Sequence, residues 1–142
     1  MQGEIKLILG QVCIGKRVVK CRRVPHNMSN HTSMHWGEKA QWTKAWKEEV
    51  WAQFMWHRSE LWKLPLKNAS ITINIYTTSM KDQDGAYGSI KPILDALKAN
   101  GGVGVIIDDS PKYINLNVEQ IKVAHRADEH VEILIKKLVL IS

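Results

Sequence analysis

Four aspartates in one short window carry the chemistry this chain can do: Asp82, Asp84, Asp108 and Asp109. They bracket a compact segment, KDQDGAYGSIKPILDALKANGGVGVIIDDSPKYI. Two carboxylates two residues apart in an extended or turn segment can point the same way. A second pair, returning after a helix, can close the other side of a cation site. Hard cations such as Mg²⁺ take a few carboxylate oxygens and keep several waters. Such an ion polarises a phosphate and lowers the pKa of an attacking water. Four carboxylates gathered together repel one another, so the site asks for a cation. Spacing alone leaves a second reading open, because Asp-x-Asp-Gly and Asp-Asp-Ser-Pro are both turn-forming sequences.

The charge around this acidic window is positive. The chain carries a formal charge of +6, and Lys16, Arg17, Lys20, Arg22 and Arg23 stand together with no acidic residue among them. Such a patch favours a polyanion through counterion release. Lys81, directly before the first Asp, is placed for a DNA phosphate. At 142 residues, 44% apolar and 24% charged, the composition is that of one globular domain spanning 1–142. Cys13 and Cys21 lack metal-ligand spacing and are too few for a disulfide framework, which predicts a reduced, intracellular protein. No apolar run approaches the length needed to cross a bilayer, and no secretory signal opens the chain, so a soluble protein with no membrane partner is expected.

The elements that must position these residues follow from periodicity. Residues 4–9 and 17–24 read as strands joined through Gly10 and Gly15, a hairpin. Residues 25–33 read as a loop. Over 38–62 the spacing predicts a helix, with Trp42, Trp46, Val50 and Phe54 at successive i+4 positions and Trp51, Met55, Arg58 and Trp62 as a second stripe. Pro65 stops it. Trp42, Trp46 and Trp51 are expected to pack on a sheet. Trp36, beside His35 at the loop end, is the candidate for stacking on an unpaired base. Residues 69–77 alternate apolar and polar, a strand that delivers the chain to Asp82 in the following loop, where Gly85 and Gly88 add freedom. Ser89 is a candidate cap for a helix from Ile90, with Pro92 in its first turn and Asn100-Gly101-Gly102 at its end. Residues 103–107 read as a short buried strand, and 113–123 and 131–140 as two more. The expectation is a single α/β (α+β) domain with a mixed sheet packed against two main helices. Its two strand ends would bring Asp82 and Asp84 near Asp108 and Asp109.

The order Asp82-Gln83-Asp84, Lys91, Leu94-Asp95-Ala96-Leu97, Gly101-Gly102 and Asp108-Asp109-Ser110 resembles the RusA family of Holliday junction resolvases. The motif core covers about thirty residues, and the flanking basic stretch with His35-Trp36, Trp-rich helix and apolar strand follow the same order. The resemblance implies an endodeoxyribonuclease that resolves four-way junctions in recombination and repair. It implies Mg²⁺, with Mn²⁺ as a substitute, a homodimer, and a bacterial cytoplasm, often through a phage or prophage. Carried over residue by residue, Asp82, Asp84 and Asp109 are catalytic metal ligands, with Asp108 as a helper. Lys91 neutralises charge on the scissile phosphate; Asp95, one turn after Lys91 on the same helix, is read as orienting Lys91 or capping a neighbouring element and not as a metal ligand. Lys81, Lys91, Lys16, Arg17, Lys20, Arg22, Arg23, His35 and Trp36 contact DNA. Lys39, Lys44 and Lys47 add a basic side to the Trp helix. One departure stands out: Gly85 occupies the position where the family has Asn. It keeps a second reading in play, a non-catalytic module that binds branched or single-stranded DNA.

Overall fold

The computed structural model describes residues 4–26, 36–55 and 64–138. His35, Arg58 and Trp62, and the last residues of the expected C-terminal strand, lie outside them. The chain is one mixed α+β unit. A four-stranded sheet has the order β1-β6-β4-β5, formed by β1 (Glu4–Leu9), β6 (His130–Lys137), β4 (Ala69–Thr77) and β5 (Ile114–Lys122). A two-stranded ribbon, β2 (Val12–Ile14) with β3 (Lys20–Arg22), stands apart. The helices are α1 (Trp36–Met55), α2 (Gln83–Ser89) and α3 (Lys91–Leu97).

The sheet buries one face because its strands alternate. Ile5, Ile135, Ile71 and Leu116 form one cross-strand row, and Leu7, Ile133, Ile73 and Val118 form the next. Apart from half-buried Leu116, every member of these rows is at most 5% exposed. The opposite face carries Ser70, Thr72, Asn74 and Tyr76, all half-buried. A period of two turns every second side chain to the same side, so the apolar residues of 69–77 specify this register. β6 lies between β1 and β4, which makes the described part of the C-terminal segment a core strand.

α1 covers the apolar face with the expected stripe: Trp42, Trp46, Val50 and Phe54 are buried. The side chain of Glu38 accepts a hydrogen bond from Trp42 Nε1 at 3.3 Å. The other end of α1 is tied to the β1–β2 corner by Gly10 N donating to Glu49 Oε2 at 2.6 Å. Trp51, expected to pack, is instead 56% exposed. It is five positions from Trp46, which at 3.6 residues per turn carries it off the buried stripe.

Several expectations fail for identifiable reasons. The strand at 4–9 pairs with β6, not with 17–24, and the hairpin forms inside 12–22. Gly15, at φ +98°, turns that hairpin, and a Cβ there would run into the Val18 carbonyl. This puts Cys13 opposite Cys21, and the two are joined as a disulfide with Cα atoms 4.0 Å apart. The thiols therefore give no argument for a reducing compartment. Residues 103–107 form no strand, only isolated bridges from Ile106 to Leu66 and Lys98, although Val105 and Ile106 are buried. No helix among the described residues is long and apolar enough to cross a membrane.

Trp46 is fully buried at the centre of the helix–sheet contact. Trp46→Ala is expected to lower the unfolding free energy by about 3–5 kcal/mol, through lost burial and the cavity left behind. Urea denaturation followed by circular dichroism measures the change.

Candidate nucleic-acid site

The first acidic pair sits at the head of α2, not in a pliable loop. Asp82 is the N-cap residue, and its Oδ1 accepts a hydrogen bond from Gly85 N at 2.6 Å. Asp84 lies in the first helical turn, where a negative charge also suits the helix dipole. Both are exposed. Helical geometry at this point matters for the chemistry, because residues two apart on a helix do not face each other. The pincer expected of an extended Asp-x-Asp is therefore not formed here.

Gly85 explains how close the Asp82 carboxylate comes. A Cβ at position 85 would stand 2.7 Å from Asp82 Oδ1. The glycine leaves space for the cap, where a side chain would push the carboxylate aside. Gly88 is likewise helical, and Ser89 does not cap α3: its Oγ donates to the Ala86 carbonyl at 2.8 Å. Ile90 occupies the N-cap position of α3, with Pro92 tolerated in the first turn as expected.

The second acidic pair belongs to a different neighbourhood. Lys98 Nζ lies 2.9 Å from Asp95 Oδ1, 3.4 Å from Asp109 Oδ2 and 3.7 Å from Asp108 Oδ1. An ammonium thus stands among three carboxylates. The hydrogen bond to Asp95 leads the effects that raise the Lys98 pKa above its ordinary value. The Asp109 backbone N–H, followed by Lys98, holds the Asp108 carboxyl below its usual range. Asp95, expected to orient Lys91, pairs with Lys98 one turn further on. Lys91 itself is exposed at the start of α3 and makes no ion pair within the described residues.

Within one chain the two pairs do not meet. The parallel β4–β5 register places Ile114 beside Ala69 and Gln120 beside Ile75. Asp108 and Asp109 lie between Ile106, bridged to Leu66, and Tyr113, whose carbonyl accepts from Ala69 N, so they occupy the starting end of the strand pair. Lys81 is clasped by Gln120 through two 2.8 Å hydrogen bonds, which fixes Asp82 near the far end. The six steps from Ile114 to Gln120 span about 20 Å at roughly 3.3 Å per residue. Among the described residues no three His, Cys, Asp or Glu side chains converge on a point that could hold a metal ion. The four predicted carboxylates are thus not gathered at one point among the described residues of one chain.

The basic residues divide as well. Lys16 and Arg17 are exposed on the ribbon tip, and Lys20 pairs with Glu38 at 3.2 Å. Arg22, Arg23 and Lys81 line a cleft of about 410 Å³ together with Arg126 and Glu129, two residues that sequence reasoning passed over as part of a polar turn. Burial, and then the Arg22 charge, lower the Lys81 pKa. Trp36 opens α1 at 76% exposure. Lys44 and Lys47 line a second, more apolar groove with Trp51 and Val103. The sequence matches no protein-family model and no curated protein.

Two predictions follow from these neighbourhoods. Lys98→Met should lower the melting temperature at neutral pH by leaving three carboxylates without their cation. Lys98 has a raised pKa, so its contribution is lost as pH rises past that value; Asp108 has a lowered one, so its contribution is lost as pH falls through it. The deficit of Lys98→Met should thus be largest between about pH 4 and 10 and fade on either side. Thermal melts across pH test this. Gly85→Ala should release Asp82 with little change in stability, since a helix-propensity gain of about 1 kcal/mol offsets a lost cap of about 1 kcal/mol. The amide shift at position 85 reads the lost cap.

Proposed function

We propose that this protein is a Mg²⁺-dependent endodeoxyribonuclease of the RusA kind that cuts four-way DNA junctions. One observation carries the reading furthest: exposed Asp82 and Asp84 stand one and three residues after Lys81, which lines a cleft with Arg22, Arg23 and Arg126. Carboxylates bordering a positive groove are what phosphodiester cleavage asks of a surface. The groove draws in the backbone, and the acidic residues are the ligands a hard cation prefers.

The separation of the two acidic pairs supports an assembly of two chains for such an enzyme. A site using both ends of the β4–β5 pair needs two chains. In a two-fold pairing, the Asp82–Asp84 end of one copy faces the Asp108–Asp109 end of the other, and symmetry repeats the arrangement. Two equivalent sites suit a junction, which requires two nicks in strands of like polarity. Lys91, exposed at the head of α3, is the residue proposed to stabilise charge on the scissile phosphate.

The separation also favours a second reading, a non-catalytic module for branched DNA, in which the acidic ends never meet. Cleavage of a labelled junction with Mg²⁺ or EDTA decides between them. The nuclease reading expects symmetric Mg²⁺-dependent nicks, and Asp84→Asn should abolish them while junction binding persists. Mixing Asp84→Asn protein with Asp109→Asn protein should restore single nicks, because each mixed dimer then holds one intact site. Junction binding with no cut under any divalent cation would establish the binding module instead.

A further inference from the structure

The cleft between the β2–β3 ribbon and the far end of β4 has features that cleavage chemistry does not require. Arg22, Arg23, Lys81 and Arg126 line it, against a single carboxylate, Glu129. Three of these cations donate to backbone carbonyls. Arg22 Nε donates to the Val24 carbonyl at 3.0 Å, and Lys81 Nζ to that of Pro25 at 3.4 Å. Arg23 Nη1 donates to the Ala127 carbonyl at 3.5 Å. Carbonyls fix the positions of these groups without neutralising them.

The Glu129 carboxylate is occupied elsewhere. Its Oε2 accepts from Thr78 N at 2.8 Å, Thr78 Oγ1 at 2.7 Å and Thr77 Oγ1 at 3.4 Å. Burial pushes this carboxyl up, but the Thr78 and Thr77 hydrogen bonds outweigh it and keep the group below its ordinary range. Glu129 is thereby a brace between the end of β4 and the turn that carries Arg126. No ion pair within 4.0 Å joins it to any of the four cations among the described residues. For Arg22, burial is the leading cause of a lowered pKa; the Glu129 charge opposes it without cancelling it, and the Arg126 charge adds to it. The cleft is a preformed, under-neutralised cationic pocket.

From this geometry we infer that the cleft is a phosphate-binding pocket, built from Arg22, Arg23, Lys81 and Arg126, that holds one backbone phosphate of a DNA strand beside Asp82. Two guanidinium forks and an ammonium on fixed supports match the planar, multidentate recognition that phosphate favours. The choice of DNA as the source rests on the proposed nuclease reading; the phosphate chemistry does not.

Equilibrium binding in EDTA, where nothing is cut, separates the two. Wild type, Arg126→Gln, Arg22→Lys and the surface control Lys67→Gln are titrated against a fluorescent four-way junction over a range of salt, and against inorganic phosphate by ³¹P line broadening. Arg126→Gln should weaken the junction several-fold and reduce the slope of log K against log salt by about 0.9, the value of one lost phosphate contact. Arg22→Lys, which keeps the charge but loses the fork, should weaken both ligands, and Lys67→Gln should do less than either. Equal effects of Arg126→Gln and Lys67→Gln would overturn the pocket, leaving general net charge. Loss of phosphate broadening in Arg126→Gln with junction affinity and slope unchanged would overturn DNA as the source and assign a small phosphorylated ligand. A failure to cut DNA would sink the nuclease reading and leave these binding results standing.

Discussion

The parallel pairing of β4 with β5 is the constraint on which the rest of the molecule depends. Two parallel neighbours cannot be joined by a tight turn, so the chain must leave the end of β4 and travel back to its start. Here the return path is α2, α3 and the segment through Ile106. The candidate acidic ligands, Asp82, Asp84, Asp108 and Asp109, all lie on that path. Departure from the sheet fixes Lys81, Asp82 and Asp84 at one end. The return fixes Asp95, Lys98, Asp108 and Asp109 at the other.

That path is held by ordinary packing. Ile90, Ile93 and Leu97 are fully buried, and α1 closes over α3 and the sheet with its Trp42–Trp46–Val50–Phe54 stripe. The crossover is therefore a rigid part of the core, and the acidic pairs are displayed by it without contributing to it. Polar contacts then define each end locally. Gln120 clasps the Lys81 backbone at both its N–H and its carbonyl, Glu129 braces Thr77 and Thr78, and Lys98 sits among three aspartates.

Electrostatics differ sharply between the ends. At the Lys98 end, cation and carboxylates compensate one another inside one chain. At the Lys81 end, cations accumulate on carbonyl supports and the one nearby carboxylate is turned toward hydroxyls and an amide. An under-neutralised positive pocket at this end is the feature on which the proposed polyanion site rests. At the other end Asp95, Asp108 and Asp109 are gathered around Lys98 at the start of the strand pair.

Much of this was legible in the sequence by itself. Alternation over 69–77 determined β4 to the residue, because a period of two has no helical alternative there. The i+4 stripe determined the buried face of α1, and Pro92 and the apolar residues after it determined α3. Tertiary structure decided what local pattern does not encode. Asp82-Gln83-Asp84 became a helix cap and first turn, since the cap bond to Gly85 outweighed the turn preference of the glycines. Residues 103–107 were apolar enough for Val105 and Ile106 to be buried, but they make only isolated bridges at Ile106 and do not join the sheet. Cys13 met Cys21 only through the register of the ribbon. Arg126 and Glu129 joined Arg22 across about a hundred residues of sequence and Lys81 across fewer than fifty; the second proximity follows from β6 lying against β4. Periodicity is a local property and survives in the sequence. The distance between two acidic pairs depends on the direction in which strands pair, and that is decided only when the whole sheet is assembled.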